Sequence, residues 1–233
     1  MLRFGFGLAL AGASVLALAA CDRHPRHHRD GSDSAPMKAA SRLDCPDTQG
    51  ALTRKATAAD GRSCDYAGPD GAVVALSLNA MTGKDADAVL DPLGHDLRAE
   101  LPATSPSGAA KAGSNKDDEK VDIDLPGVHI HAKGDRASVD AGPNDGKSGV
   151  HVNANDSGAE VHVDDRSNAG VRKLMILAAD KPGPHGYTVA GYEAHGPANG
   201  PLVVATIRAR DHGQGHDALM HDVDQLVKLN AGG

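Results

Sequence analysis

The side chains with the most evident chemical potential are histidines, of which the chain has 13 in 233 residues. His129 and His131 stand two apart in the run VHIHA, a spacing that puts both on one face of a β-strand. Residues 128–149 align with 150–171 at a period of 22, and the repeat sets His151 on the position of His129. His162 falls on the neighbouring expected strand, and Asp140 and Asn153 take comparable outward positions. Imidazoles on adjacent strands stand about 5 Å apart and can converge on Zn²⁺, Cu²⁺ or Ni²⁺. His129, His131, His151 and His162 are therefore the candidate metal ligands. Against this stands a thin apolar face of Val, Ile and Ala, which offers little to fix the ligands; a solvated polar face is the competing reading.

Two further groupings contain acid–base residues. Glu193 and His195 share a strand face, but acid–base work there would need a pocket. His212, His216 and His221 surround the start of the last expected helix, where Gly213 and Gly215 disfavour a helical pairing of the first two. Asp217 and His221 share a helix face, and the helix dipole alone accounts for Asp217 in the first turn. The chain has no HExxH, P-loop or SxxK, and no GxSxG after the leader. No catalytic residue is assigned.

The loop Arg210-Asp211-His212-Gly213-Gln214-Gly215 superficially resembles the acidic-x-Gly-x-Gly loop of methyltransferases that use S-adenosylmethionine. That loop serves a doubly wound parallel sheet, which needs a crossover back into the sheet. One helix remains after it here, so the loop reads as a tight strand-to-helix turn.

The N-terminus carries the most specific signal. Arg3 is followed by 17 apolar or small residues, 4–20, without a charge, and Leu18-Ala19-Ala20-Cys21 closes the run. The run is short for a helix spanning a bilayer, which takes about 20 residues, and suits a secretory leader. Its end resembles the lipobox of bacterial lipoproteins. The resemblance implies cleavage before Cys21, diacylglycerol on the Cys21 thiol and acylation (palmitate-class chains) of the new amino group. Arg23, Arg26 and Arg29 follow the run while Arg3 alone precedes it. An uncleaved helix exporting the body would reverse the positive-inside rule, and cleavage removes that conflict. Asp22 resembles the inner-membrane retention signal of enteric lipoproteins, so the periplasmic face of the inner membrane is expected, with the outer membrane as the alternative.

Removing 20 of 233 residues leaves 213, and losing Arg3 takes the net charge from −7 to −8. Cys45 and Cys64 then form an even pair in an exported chain, which favours a disulfide. With no CxxC and no adjacent His, a redox or metal role for them is disfavoured. Aromatic residues are 2% of the chain, with no Trp, and the charge is acidic; both exclude a nucleic-acid stacking groove.

The elements expected to position these groups divide as follows. Residues 1–20 are the signal peptide and 21–41 a flexible tether. Residues 42–101 read as short strands followed by a helix, with Asp91-Pro92 as N-cap and N1 of its main part. Residues 102–170 are a polar low-complexity linker and the Gly/Asp/His-rich repeat, either a marginal β-meander or, preferred on composition, a partly disordered insert. Residues 171–233 read as three strands and a final amphipathic helix. The run VVALSLNAMTGKDADAVL at 73–90 aligns without gaps to VVATIRARDHGQGHDALM at 203–220. The expected fold is α+β: a two-layer antiparallel sheet with two helices on one face, built from two similar ββα halves. The functional expectation is a non-enzymatic interaction or structural module on an envelope lipoprotein, held to the membrane by its lipid. A periplasmic metal-binding protein is the alternative, and a cell-envelope enzyme or methyltransferase ranks third.

Overall fold

The computed structural model describes residues 36–102, 120–125, 128–133, 136–141, 148–155, 157–210 and 215–232, with the course of the chain alone for 120–141. Residues 1–35, which include Cys21, residues 103–119, and residues 211–214, which include His212, lie outside the described residues; the expected signal peptide and most of the expected tether and linker fall there. No described helix is long and apolar enough to cross a membrane.

In chain order the elements are β1 (Thr48–Gln49), β2 (Leu52–Thr57), β3 (Ser63–Ala67), β4 (Val73–Asn79), α1 (Ala86–Ala99), β5 (Lys120–Leu125), β6 (Val128–Lys133), β7 (Arg136–Ala141), β8 (Ser148–Asn155), β9 (Gly158–Ser167), β10 (Gly170–Ala179), β11 (Val189–Gly196), β12 (Leu202–Ala209) and α2 (Gly215–Ala231). The main sheet is antiparallel, in the order β1-β2-β3-β4-β12-β11-β10-β9-β8-β7, and β5 and β6 form a two-stranded sheet of their own. Most neighbours in the sheet are also neighbours in sequence, while the one long-range pairing among the described strands, β4 with β12, joins Val73–Asn79 to Leu202–Ala209 at mid-sheet.

An antiparallel sheet with two helices is the expected class, but the layering differs. Every residue of β11 is buried, which requires cover on both faces. Even-numbered Ala190, Tyr192 and Ala194 pack with Met175, Leu177 and Val204 against Leu90 and Leu97 of α1. Odd-numbered Val189, Val203, Ala205 and Ile207 pack with Leu174 and Ile176 against Val223, Leu226 and Val227 of α2. Successive strand residues point to opposite faces, so α1 and α2 lie on opposite faces and the body has three layers, not two. The order strand–strand–helix does occur twice. A rotation carrying β4 onto its antiparallel neighbour β12 would keep both helices on one face, so the two units are not equivalent halves.

Two local expectations also change. Segment 136–167 carries β7, β8 and β9, which extend the sheet beyond β10; the β-meander reading holds for it rather than the disordered insert. Val152 and Val161, register partners, are fully buried on the α2 face, and that burial offsets the polar composition. Helix α1 is continuous through Pro92 and is capped by the Asp85 side chain, which accepts from the Ala88 N–H at 2.8 Å. Asp91-Pro92 is not its start. Pro92 and Ala88 are both exposed, so the Ala88 carbonyl that loses its helical partner faces solvent.

The segment before β1 is sewn onto α2 and β3. The Lys38 N–H donates to the Ala231 carbonyl at 2.6 Å, the Asp44 N–H donates to Asn230 Oδ1 at 2.6 Å, and Asn230 Nδ2 returns a bond to the Asp44 carbonyl. Cys45 and Cys64 are joined in a disulfide, 19 residues apart in sequence. The β1–β2 turn places Gly50 at φ +55° against the Asp222 carboxylate of α2, which accepts the Ala51 N–H at 2.8 Å.

Cys64→Ser lowers unfolding free energy by about 3 kcal/mol, the loop-closure value for a ring of this size, read in denaturant titrations with reduced wild type as the control. Gly50→Ala costs about 1–3 kcal/mol, because a left-handed backbone and a contact with Asp222 are both imposed on the new Cβ; thermal melts measure it.

Candidate functional site

The α2 face holds a buried polar cluster that begins with strand alternation. Glu193 and His195 are two apart on β11 and project to the same face, each all but fully buried. Arg172 is the register partner of His195 on β10. Asp224 comes down from the apolar stripe of α2, also buried, with Lys228 one turn on. His195 Nε2 lies 3.0 Å from Glu193 Oε1. Arg172 Nη2 bridges the two carboxylates, 3.3 Å from Glu193 Oε1 and 3.4 Å from Asp224 Oδ1, and Lys228 Nζ is 3.0 Å from Asp224 Oδ2. Two carboxylates, Glu193 and Asp224, face two cations, Arg172 and Lys228. It links β10, β11 and α2, and breaking one partner of such a buried set is costly. Glu193, His195 and Asp224 each offer a ligand atom, all within 4.8 Å of one another, and they are the one such group of three among the described residues.

The α1 face carries a groove of about 220 Å³ lined by residues that include Asp87, Asp91, Arg98, His162, Asp164, Lys173 and Tyr192. Lys173 pairs with both Asp87 and Asp164, and Arg166 pairs with the same two carboxylates. Burial pushes the Asp87 carboxyl up, but the Lys173 and Arg166 hydrogen bonds outweigh it and hold the group below its ordinary range. Glu160 receives His162 Nε2 at 2.6 Å and Arg98 Nη2 at 2.5 Å. The His162 bond leads in lowering its pKa to about 2. Burial drives the Tyr192 hydroxyl up to about 12, keeping it a neutral phenol at the groove floor. At the C-terminal end of α1, Glu100 is held below its ordinary range by Arg208, which grips both carboxylate oxygens at 2.6 Å. These pairs lock α1 to the sheet and engage most of the charged groups that line the groove.

The four histidines of the repeat divide between two sheets. His151 and His162 are register partners on β8 and β9. His129 and His131 lie on β6, opposite Asp124 and Asp122 of β5. The groove described opens on the α1 face, whereas Glu193 and His195 lie under α2, so the acid–base pair does not line it. His221 and Asp217 are exposed, and His216 borders a cavity of about 30 Å³ with Asp70 and Arg210. Sequence reasoning missed Arg172 and Asp224. The available signal was a charged residue at each of two otherwise apolar places, the strand after Val171 and the buried stripe of α2.

Compared with known proteins, the chain has no significant match among family models, curated proteins or solved structures.

The depressed Glu160 pKa has a defined pH signature. A carboxyl held near 2 in the fold against 4.5 ordinarily contributes stability that is complete above about pH 4.5 and lost as pH falls toward 2. The melting temperature therefore drops across that window in wild type and drops less in Glu160→Gln, measured by circular dichroism melts at stepped pH.

Proposed function

We propose that the chain is a lipid-anchored protein of the bacterial cell envelope whose body is a non-enzymatic interaction or structural module facing the periplasm. The observation that carries this reading is the state of the three cysteines. Cys45 and Cys64 are paired with each other, which accords with an oxidising compartment. That leaves Cys21 as the remaining thiol, directly after the charge-free run 4–20. Two or three acyl chains on one residue hold a protein to a bilayer far more firmly than a single chain does. Residues 22–35 separate Cys21 from the first described residue; fully extended they would reach about 50 Å, enough to hold the body clear of the headgroups. The body enters by its 36–46 segment, which is fastened to α2 and β3. The matched ion pairs around the α1 groove favour a structural role for them over catalysis.

The second reading, a periplasmic metal-binding protein that takes Zn²⁺, Cu²⁺ or Ni²⁺ through His129, His131, His151 and His162, draws support from the register that sets His151 beside His162. It ranks behind the first because Glu160 and Arg98 already engage His162.

Globomycin, which blocks lipoprotein signal cleavage, makes the precursor accumulate, and Cys21→Ser releases the protein from the membrane fraction. Unchanged processing together with a membrane-bound Cys21→Ser protein would refute the assignment. Separating inner and outer membranes after radiolabelled palmitate feeding finds the label in the inner-membrane fraction, and Asp22→Ser moves it to the outer membrane.

A further inference from the structure

The cluster under α2 combines one imidazole and two carboxylates, and all three donors are fixed by elements that pack on both sides. His195 is 1% exposed, Glu193 2% and Asp224 5%. An ion pair that exists only to hold α2 down has no need of a histidine between its charges. Nor is the set well satisfied as it stands. His195 uses one ring nitrogen, toward Glu193, while its buried Nδ1 has no hydrogen-bond partner, and the buried Nε of Arg172 has none either. The guanidinium meets its two carboxylates at 3.3 and 3.4 Å, at or beyond the long end for a hydrogen bond and well outside the 2.7–2.9 Å or so of a fitted charge-assisted pair. The donors are rigid, but both cations reach in on long side chains that remain 32% and 36% exposed. A cation is required at this place, and the one that occupies it fits loosely and can swing outward.

We propose that Glu193, His195 and Asp224 form a binding site for one divalent transition-metal ion of the Zn²⁺ class, with Arg172 standing in as the counter-charge when the ion is absent. Zn²⁺ takes imidazole nitrogen and carboxylate oxygen at about 2.0–2.2 Å, which sets its tetrahedral ligand atoms about 3.3 Å apart. The Glu193–His195 pair already stands at 3.0 Å, and all three donors lie within 4.8 Å of one another. Closing the widest of these separations to that spacing asks the donor atoms to move by about 1 Å. One imidazole with two carboxylates is a harder donor set than thiolate sites, which disfavours Cu(I) and suits divalent first-row ions, with Zn²⁺ the redox-inert probe. With Arg172 swung out, two carboxylates neutralise the ion and Lys228 keeps its bond to the second Asp224 oxygen. The ion would then join β11 to α2, as Arg172 joins them without it. These donors are separate from the four histidines of the repeat.

The test is isothermal calorimetry of ZnCl₂ into the full chain in detergent after chelator stripping, with melts of each variant in chelator and in Zn²⁺. One ion binds per chain. Glu193→Gln and Asp224→Asn each weaken it by at least about 100-fold, the upper end of the cost of losing a supporting group. His129→Ala/His131→Ala leaves it unchanged. Arg172→Gln, which removes the competing cation, binds more tightly than wild type and gains more in melting temperature on adding Zn²⁺, an outcome that a purely structural ion pair does not produce. This arm stands even if a donor variant fails to fold. Absence of stoichiometric uptake by the wild-type chain overturns the proposal, as does uptake that Asp224→Asn retains and His129→Ala/His131→Ala loses.

Discussion

Strand β11 is covered on both faces along its whole length, and the rest of the body is arranged around that demand. A strand exposed on one face can alternate apolar with polar residues. A strand buried on both needs an apolar or fully partnered group at every position. Along β11, Ala190, Tyr192 and Ala194 meet the α1 core while Val189 meets the α2 core. At Gly191 an added Cβ would meet the Met175 backbone and the Ile176 side chain. Only Glu193 and His195 break the apolar pattern; they pair with each other, Arg172 holds Glu193 and Asp224, and Lys228 holds Asp224, while His195 Nδ1 stays without a hydrogen-bond partner.

Opposite-face helices follow from the same strand. Helix α1 comes from the first part of the described body and α2 from the last, and the pairing of β4 with β12 sets the strands that precede them side by side in one sheet. Both interfaces also carry polar fasteners. On the α1 face, Arg98, Glu160 and His162 meet at one end and Arg208 grips Glu100. On the α2 face, the 36–46 segment wraps the helix and Cys45 binds it to β3. A core with so few aromatic side chains buries less area per residue than usual, and the charged fasteners and the disulfide fall where the helices and the entering segment need holding.

Two separate features bear on function. The charge-free run 4–20 and Cys21 carry the proposal about where the protein resides. The buried cluster under α2 concerns what the body can hold. Most of the charged groups that line the groove on the α1 face are engaged by opposite charges, and so it reads as the seam along which α1 is fastened.

Much of the local structure was legible in the residues themselves. Apolar alternation in VVATIRAR marked β12, the stripe Leu219-Val223-Leu226-Val227 marked α2, and the even cysteine pair marked the disulfide, because each depends on near neighbours or on simple pairing. Asp85 as the true cap of α1 escaped, since Asp91-Pro92 has equal local credentials and only packing decides that the helix runs through. The layering escaped for a deeper reason. Alternation shows that a strand has two faces but not which partner covers each one, and the gapless likeness of 73–90 to 203–220 favoured one face for both helices. The β-repeat looked too polar to hold a core until β10 gave Val152 and Val161 a sheet to join. The Glu193–His195–Asp224 cluster was half visible, two residues on one strand. Its third member lies on a helix almost 30 positions on, and only the docking of α2 onto β11 brings those charges into contact, since nothing local to either segment records the encounter.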